Sequence, residues 1–457
     1  MAPDGGQAPP DTALVARTAH RLARPASTLA GDAHWLAAAV SWPDARGLAP
    51  EHRSRARDFV RYHLACLEQA LCFRPADRCT AAVDPSFWDT TPRYGASDEA
   101  DDDGDDWHGR EIPAPRPRGH QKEGRDGNPP GVVGLARTRE GVPVRSWGGP
   151  GNTAEVTTTD PLKGALRGWR LHRGVCVGDR GRCSEAHRPR RSRALGRDLL
   201  AVPRRQVTEV PREVRSRPGR YRDVATKPRV KEVYGGTGER RRRSVVRDNP
   251  EEGARERAHR ERLWALARAE LAALAVRQAD PPQTAWALMA SRRFGRSLRM
   301  EARGRRGLAT TQVAAEATDE GTVVVTTKDE TLAAADGALG YTSMSLIAGG
   351  CRRMKTTGLR TRPISHWRPP RTIAHVKRCV LALLLQRAAE LRGQQPWRTM
   401  RQTLDQLKGV RYRRHGKTIL HKTQVTATIA EPLRSLGIPL PHTMLDVSNE
   451  VDAPLLP

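Results

Sequence analysis

The chain has 457 residues, and lysine and arginine outnumber aspartate and glutamate by 79 to 51. The resulting formal net charge of +28 favours a polyanionic partner, most commonly nucleic acid, because neutralising phosphates releases their counterions. An arginine-rich composition inherited from a GC-rich genome is the alternative. Seven cysteines without a C-x-x-C pair do not form a close-paired zinc motif and indicate thiols in a reducing cytoplasm. No signal peptide is visible and no apolar run is long enough for a membrane span, so no membrane partner is expected.

The N-terminal third divides by composition. Residues 1–30 are rich in Ala, Pro, Gly and Arg and are predicted to be disordered. Residues 31–78 are predicted to be helical and amphipathic, with DFVRYHLACLEQAL as the clearest pattern, and DNA-end binding is one role for them. AAVDPSFWDTT reads as an extended run that ends in Asp89-Thr90-Thr91, and an acidic stretch, ASDEADDDGDDW, reads as a solvated loop.

The middle of the chain alternates strands with basic sequence. GVVGLARTREGVPVRSW predicts two strands joined by a turn, and GVCVGD predicts another strand. Residues 186–320 form a strongly basic region with strand-like pieces RVKEVY and RRRRSVV. Asn249 followed by Pro250 and two acids predicts a helix over 250–276, because these residues suit a helix N-terminus.

The last third contains a strand, GTVVVTT, and a core helix around AHVKRCVLALLLQRAAELRG. Residues 401–457 are treated as a C-terminal tail. Strands mixed with helices in this order predict an α/β fold. GVRYRRHGKT lacks the glycine spacing of an ATP-binding phosphate loop, so ATP is not an expected ligand.

Two acids follow apolar runs, Asp89 after SFW and Asp179 after VCVG. Carboxylates at neighbouring strand ends can share divalent cations, whereas a single Asp in such a place is more often a turn or capping residue. A third acid would be expected on a helix packed against these strands. Helical spacing from Tyr341 places Met344, Ala348 and Lys355 on one face, and that face carries no acid.

Over residues 80–400 the chain resembles insertion-sequence transposases of the DDE class. The matching pieces occur in the family's order and are FWDTT, RGHQK, VVGLARTREGVPVRSW, PGNTAEVTT, VGDRGRCSE, RVKEVY, NPEE, LAAADGALGY and LRTRPI with AHVKRCVLALLL. The resemblance implies an RNase H-like mixed-sheet core with helices, interrupted by a basic, largely β insertion. The core halves would then be 79–185 and 321–400, with 186–320 as the insertion.

The resemblance also implies the site residues. The first catalytic Asp of the family matches Asp89 and the second matches Asp179. The third is a Glu within Y-x2-R-x3-E-x6-K, and this chain keeps Tyr341 and Lys355 at the right spacing but has Ala348 at the Glu position. Met344 replaces the basic residue of the signature. One metal-binding carboxylate is therefore missing.

By the same resemblance, Asp89 and Asp179 would bind Mg²⁺, with Mn²⁺ as a substitute, for cleavage and transfer of double-stranded DNA at transposon ends and targets. Tyr341 would support the signature helix and Lys355 would contact the DNA backbone. The protein would be bacterial, cytoplasmic and nucleoid-associated, with a homodimer on paired ends. Ala348 implies that this copy is disabled. A non-catalytic DNA-binding remnant, or an inhibitor of related transposases, is the alternative.

Further DNA contacts are expected from loops and from the basic block. His120 and Lys122 match the family's G-H-x-K element, although a single His in a loop is usually only solvated. In the basic insertion, the run of arginines would contact phosphates or form a solvated surface. These residues are Arg240, Arg241, Arg242 and Arg243. A basic RNA-associated protein and a damaged gene product remain as rival interpretations.

Overall fold

A computed structural model provides the structure of the chain, which is a mixture of helices and strands. The structure describes residues 10–26, 35, 48, six residues between 59 and 70, 87–94, 105–107, 110–112, 130–138, 140–150, 176–178, 198–202, 214–224, 228–235, 242–276, 287–291, 293–295, 297–300, 306–317, 320–327, 330, 332–338, 354, 358–359 and 369–449. The chain divides into two compact units, one formed by 1–174 with 343–457 and the other by 175–342. The domain boundaries predicted from the sequence stay predictions, because division by contacts does not say which residues form a catalytic fold.

Three antiparallel strands form one sheet of the first unit. Strand β1 (Phe87–Tyr94) pairs along its full length with β4 (Pro130–Arg137), which pairs in turn with β5 (Pro143–Pro150). The turn between β4 and β5 uses Gly141 at a φ of 81°, a conformation that suits glycine. The predicted hairpin in this segment is confirmed.

A helix in the C-terminal half covers these strands. This helix is α4 (Pro369–Gly393). Apolar residues recur at helical spacing along it, and these residues lie in one buried cluster with Val133 and Leu135 of β4. They are Val376, Cys379, Val380 and Leu383. The helix is therefore a core helix, as its sequence predicted.

The N-terminal segment is a correction. Disorder was predicted for 1–30, but Pro10–Ala23 forms helix α1, with buried Ala13 and Ala16. Its last carbonyls are satisfied from elsewhere in the same unit, because Leu22 O accepts from Trp397 Nε1 at 3.3 Å. Tertiary contacts therefore stabilise a helix that composition alone did not indicate. The six described residues between 59 and 70 are helical, as predicted, and Val60 packs with Ala13.

The end of the acidic stretch forms a strand. Strand β2 (Asp105–Trp107) pairs with β3 (Arg110–Ile112) as a short antiparallel hairpin. A solvated loop was predicted over this stretch, so for β2 that prediction is wrong. Trp107 lies opposite Arg110 in the pair, at the end of the acidic run.

The described part of the C-terminal segment, residues 401–449, is folded, and the sequence made no prediction of its elements. Helices α5 (Trp397–Leu404) and α6 (Ala427–Ser435) accompany a three-stranded antiparallel sheet. Its strands are β14 (Gly409–Arg414), β15 (Lys417–Lys422) and β16 (Met444–Asn449). His415 and Gly416 link β14 to β15 with φ of 49° and 67°, which defines a two-residue hairpin turn with both central residues left-handed. The segment that lacked phosphate-loop spacing is this hairpin.

The second unit contains a mixed sheet. Strand β6 (Cys176–Gly178) pairs in parallel with β7 (Asp198–Val202). Antiparallel pairing then joins β7 to the remaining strands in the order β13, β10, β9 and β8. These are β13 (Thr322–Thr327), β10 (Arg242–Asp248), β9 (Arg229–Gly235) and β8 (Arg222–Asp223). Strands β6, β9, β10 and β13 were predicted, whereas β7 and β8 were not.

Helix α2 (Pro250–Val276) follows β10 and confirms the predicted helix over 250–276. The side chain of Asn249 accepts hydrogen bonds from the backbone N–H groups of Glu251 and Glu252 at 3.2 and 3.4 Å, as an N-cap should. Strands β11 (Leu298–Met300) and β12 (Arg306–Leu308) pair with each other, and the short helix α3 (Thr310–Ala317) follows them.

His20 of α1 is a buried base among cations. Its ring lies 5.1 Å from that of Trp35. Burial is the largest cause that lowers the pKa of His20 from 6.5 to about 4, and the positive charges of Arg21, Arg378 and Arg17 lower it further. The folded protein therefore holds this side chain neutral.

We predict that acid weakens the fold through His20. Between pH 6.5 and about 4 the unfolded chain binds a proton that the folded chain does not. The stabilisation is complete above pH 6.5 and is lost as the pH falls towards 4. Relative to His20→Gln, the wild type should lose an additional ~2 kcal/mol of unfolding free energy across this interval in urea titrations. Parallel pH profiles for the two proteins would contradict the prediction.

Candidate nucleic-acid interface

Asp89 lies within the first sheet rather than at the end of a strand. It is the third residue of β1 and lies opposite Leu135 of β4. The prediction that Asp89 lies at a strand end is therefore wrong, since the strand extends beyond it to Tyr94. The strand continues to Tyr94 because β4 supplies paired residues as far as Pro130.

Asp179 directly follows the last residue of β6, Gly178. The predicted strand before it is confirmed, and that strand runs parallel to β7. Asp179 itself lies outside the described residues, as do His120 and Lys122. In the part of the chain that the structure describes, no group of three or more His, Cys, Asp or Glu could hold a metal ion.

The signature residues Tyr341, Met344, Ala348 and Lys355 also lie outside the described residues. Met354, which directly precedes Lys355, is described and buried. It belongs to the same apolar cluster as Leu135, which lies opposite Asp89. The fold thus brings the backbone beside Lys355 to the strand that pairs with that of Asp89. These positions are more than 200 residues apart in sequence, at 89 and 355.

The arginine run of the basic insertion is only partly described. Arg240 and Arg241 lie outside the described residues, and Arg242 lies on β10 opposite Gly235. Arg243 is only 5% exposed. Its Nε donates to Glu232 Oε2 at 2.9 Å, and its Nη1 donates to the carbonyl of Leu332. Arg243 was predicted to contact DNA, but its position favours a structural role between β9 and β10.

Other cations of the second unit are exposed at the edge of its sheet. Arg220 and Arg222 lie beside Tyr221, and all three side chains are exposed. The guanidinium of Arg229 lies 5.2 Å from the centre of the Tyr221 ring and bonds to Asp248 at 2.7 Å. Burial first, and then the negative charge of Asp248, raises the pKa of Tyr221. The hydrogen bond to Asp248 raises the pKa of Arg229.

The sequence prediction did not include this edge, because the run at 240–243 has the denser charge. The interleaving of arginine with tyrosine in RSRPGRYR was the available signal, since such interleaving is typical of nucleic-acid surfaces. Charge density along the sequence does not separate arginines that face solvent from those that hold strands together.

Comparison with known proteins adds little to this geometry. No protein-family model matches the chain, and no curated protein matches it in sequence. Among solved structures, the chain is similar to a piggyBac transposase in a synaptic complex with hairpin DNA, with a TM-score of 0.34 and 9% identity. The match covers 84% of this chain and 67% of that one. At this TM-score the similarity does not establish a common fold or function.

Among the described residues, no helix combines the length and the apolar character of a membrane span. The longest described helix, α2, carries charged residues from Glu251 to Glu270.

We predict that Arg243 stabilises the fold. In Arg243→Ala, the carboxylate of Glu232 and the carbonyl of Leu332 lose a buried donor, so the free energy of unfolding should fall by about 1–3 kcal/mol. Exposed Arg222→Ala is the matched control and should change it by less than about 0.5 kcal/mol. Chemical denaturation of both variants measures the difference. An Arg243→Ala protein as stable as the wild type would return Arg243 to the set of candidate DNA contacts.

Proposed function

We propose that this chain is a transposase-type DNA-binding protein with an RNase H-like core, in which strand cleavage is prevented at position 348. The observation that carries the proposal is the buried cluster of the first unit. It joins β4, the partner of the Asp89 strand, to Met354 beside Lys355. The resemblance requires these two elements to meet, because the family's third carboxylate lies on a helix packed against the strands of the first two.

The wider features of the chain agree with the proposal. The strand–hairpin succession of β1, β4 and β5 follows the order of the matching sequence elements, and a strand ends directly before Asp179. The net charge of +28 suits a DNA partner. A cytoplasmic, nucleoid-associated bacterial location and a homodimer on paired DNA ends complete the proposal.

Mg²⁺, or Mn²⁺ in its place, belongs to the proposal as the ion that Asp89 and Asp179 would hold. Carboxylate oxygens are the ligands that Mg²⁺ prefers, and a bound ion would supply Lewis-acid activation of a water or hydroxyl nucleophile. Ala348 contributes no ligand. The protein therefore has one metal-binding carboxylate fewer than the family, and it is expected to bind transposon ends without cutting them.

Ala348 also favours a second candidate, a DNA-binding protein that has no catalytic function. A protein that keeps end binding and lacks cleavage would occupy transposon ends and compete with active relatives. The two candidates differ in one observable quantity, which is metal-dependent cleavage of DNA ends after the carboxylate is restored.

We predict that restoring the carboxylate restores cleavage. The DNA flanking the gene would be incubated with Mg²⁺ or Mn²⁺ and the wild type, Ala348→Glu, Ala348→Gln, or Ala348→Glu combined with Asp179→Ala. Only Ala348→Glu should cut, because glutamine has a similar shape without the charge and the double variant lacks a second ligand.

The remaining outcomes discriminate between the candidates. Cutting by the wild type would mean that another acid serves as the third ligand. Binding of the ends by all four proteins with cutting by none would favour the non-catalytic remnant. Preference for RNA over duplex DNA would reject both candidates.

A further inference from the structure

The hairpin formed by β14 and β15 is the most concentrated exposed basic feature in the described part of the chain. No acid occurs between Asp405 and Glu431. Six cations fall within this interval on or beside the hairpin, and they are Lys408, Arg411, Arg413, Arg414, Lys417 and Lys422. Every residue of β14 is exposed.

The tip of the hairpin presents cations on both faces. Cross-strand register places Arg414 opposite Lys417 and Arg411 opposite Leu420. Because side chains alternate along a strand, Arg411 and Arg414 lie on opposite faces of the ribbon. Among the described residues, Arg411, Arg414 and Lys417 have no acidic partner.

The base of the hairpin is anchored, so the tip is a defined structure. Leu420 is buried and packs closely against Gly409, where an added Cβ would lie 3.1 Å from Leu420 Cδ1. The backbone N–H of Lys408 donates to Thr423 Oγ1 at 3.0 Å, and Thr423 donates its own N–H to the Lys408 carbonyl at 2.8 Å. Strand β16 pairs with β15 on its other side.

Apolar side chains accompany these cations. Val410 is 50% exposed and Tyr412 is 42% exposed, and both lie on the same face as Arg414. An exposed aromatic residue between arginines can pack against sugar or base while the cations contact phosphates. A strand selected only for solubility would not need to expose valine and tyrosine.

We propose that the β14–β15 hairpin is a DNA-binding ribbon whose tip contacts the phosphates of a duplex through Arg411, Arg414 and Lys417. The major groove of B-DNA is wide enough to admit a two-stranded ribbon. This inference rests on the proposed function, since it requires the chain to bind DNA. It assigns that binding to a segment outside the region that resembles the transposase family.

A second copy of the chain fits this surface less well. A symmetric dimer places the same patch of both copies in contact, which would bring Arg411, Arg414 and Lys417 of the two copies together. The acid of this sheet, Asp446 of β16, lies opposite Leu420 and away from the tip. Double-stranded RNA also fits less well, because its deep, narrow major groove does not admit side chains. Duplex DNA supplies both the negative charge and an accessible groove.

The test compares two variants of the full chain that lose the same charge. Arg411→Ala, Arg414→Ala and Lys417→Ala are combined in the hairpin variant. Exposed arginines of α4, α5 and α6 are replaced in the control, which combines Arg392→Ala, Arg398→Ala and Arg434→Ala. Thermal melting of each variant verifies the fold. Affinity for duplex DNA is then measured from ~50 to ~200 mM salt, the range in which phosphate contacts change affinity steeply.

The hairpin variant should bind duplex DNA at least about tenfold more weakly, and its salt slope should fall by about 2–3, one step for each lost phosphate contact. The control should stay within about threefold of the wild type and keep its slope. Arg411→Lys combined with Arg414→Lys should retain most of the affinity, since a lysine still contacts phosphate.

Equal losses in the hairpin and control variants would overturn the inference, because net charge alone would then explain them. Unchanged binding by the hairpin variant would overturn it while the proposed function stands. A wild type that does not bind duplex DNA would reject both. A change of oligomeric state without a change in affinity would identify a second copy as the occupant. Tighter binding of RNA than of duplex DNA through the same residues would identify RNA as the partner and overturn the inference.

Discussion

The packing of α4 on β4 and β5 is the contact on which the rest of the first unit depends. Val133 and Leu135 of β4 lie in one cluster with the apolar face of the helix. Each fully buried side chain of this kind contributes about 1.5–3 kcal/mol. Two cations of the helix extend the contact beyond the cluster, since Lys377 donates to the Ser146 carbonyl on β5 and Arg387 to the Glu140 carbonyl in the turn. The strand of Asp89 and the residue beside Lys355 take their places from this one interface.

Elements with a strong local signal could be predicted from the sequence. The helix at 250–276 has its own N-cap in Asn249, and the turn between β4 and β5 has Gly141. Helix α1 carries a comparable signal, with Pro10 and Asp11 in its first turn and His20 and Arg21 in its last, but it was overlooked in a segment rich in Ala, Pro, Gly and Arg. Contacts from Trp397 and Arg401, far along the chain, also support it. The hairpin at the C-terminus also carried a local signal, the His415–Gly416 turn between alternating residues. It was overlooked because arginines replace the apolar residues that usually mark a strand.

The candidate site was less predictable than the fold, and the reason is physical. Which arginines are available to a ligand depends on what lies across the sheet, which sequence spacing does not reveal. Arg243 is taken up by Glu232, and Lys231 by the carbonyls of Arg215 and Arg217. A buried cation of this kind counts toward the net charge of +28, although it does not face a DNA or protein ligand. The charge that matters for binding is therefore smaller and more localised than the composition implies.

The C-terminal hairpin shows how such localisation opposes stability. Arg414 and Lys417 lie directly opposite each other, and like charges in opposed positions destabilise a strand pair. The strand pair nevertheless forms, because the two-residue turn suits its twist and Leu420 is buried at its base. A phosphate backbone beside the tip would replace this repulsion with attraction. The unfavourable Arg414–Lys417 pair lies at the exposed tip of the hairpin. A polyanion bound there would therefore offset the repulsion and stabilise the hairpin.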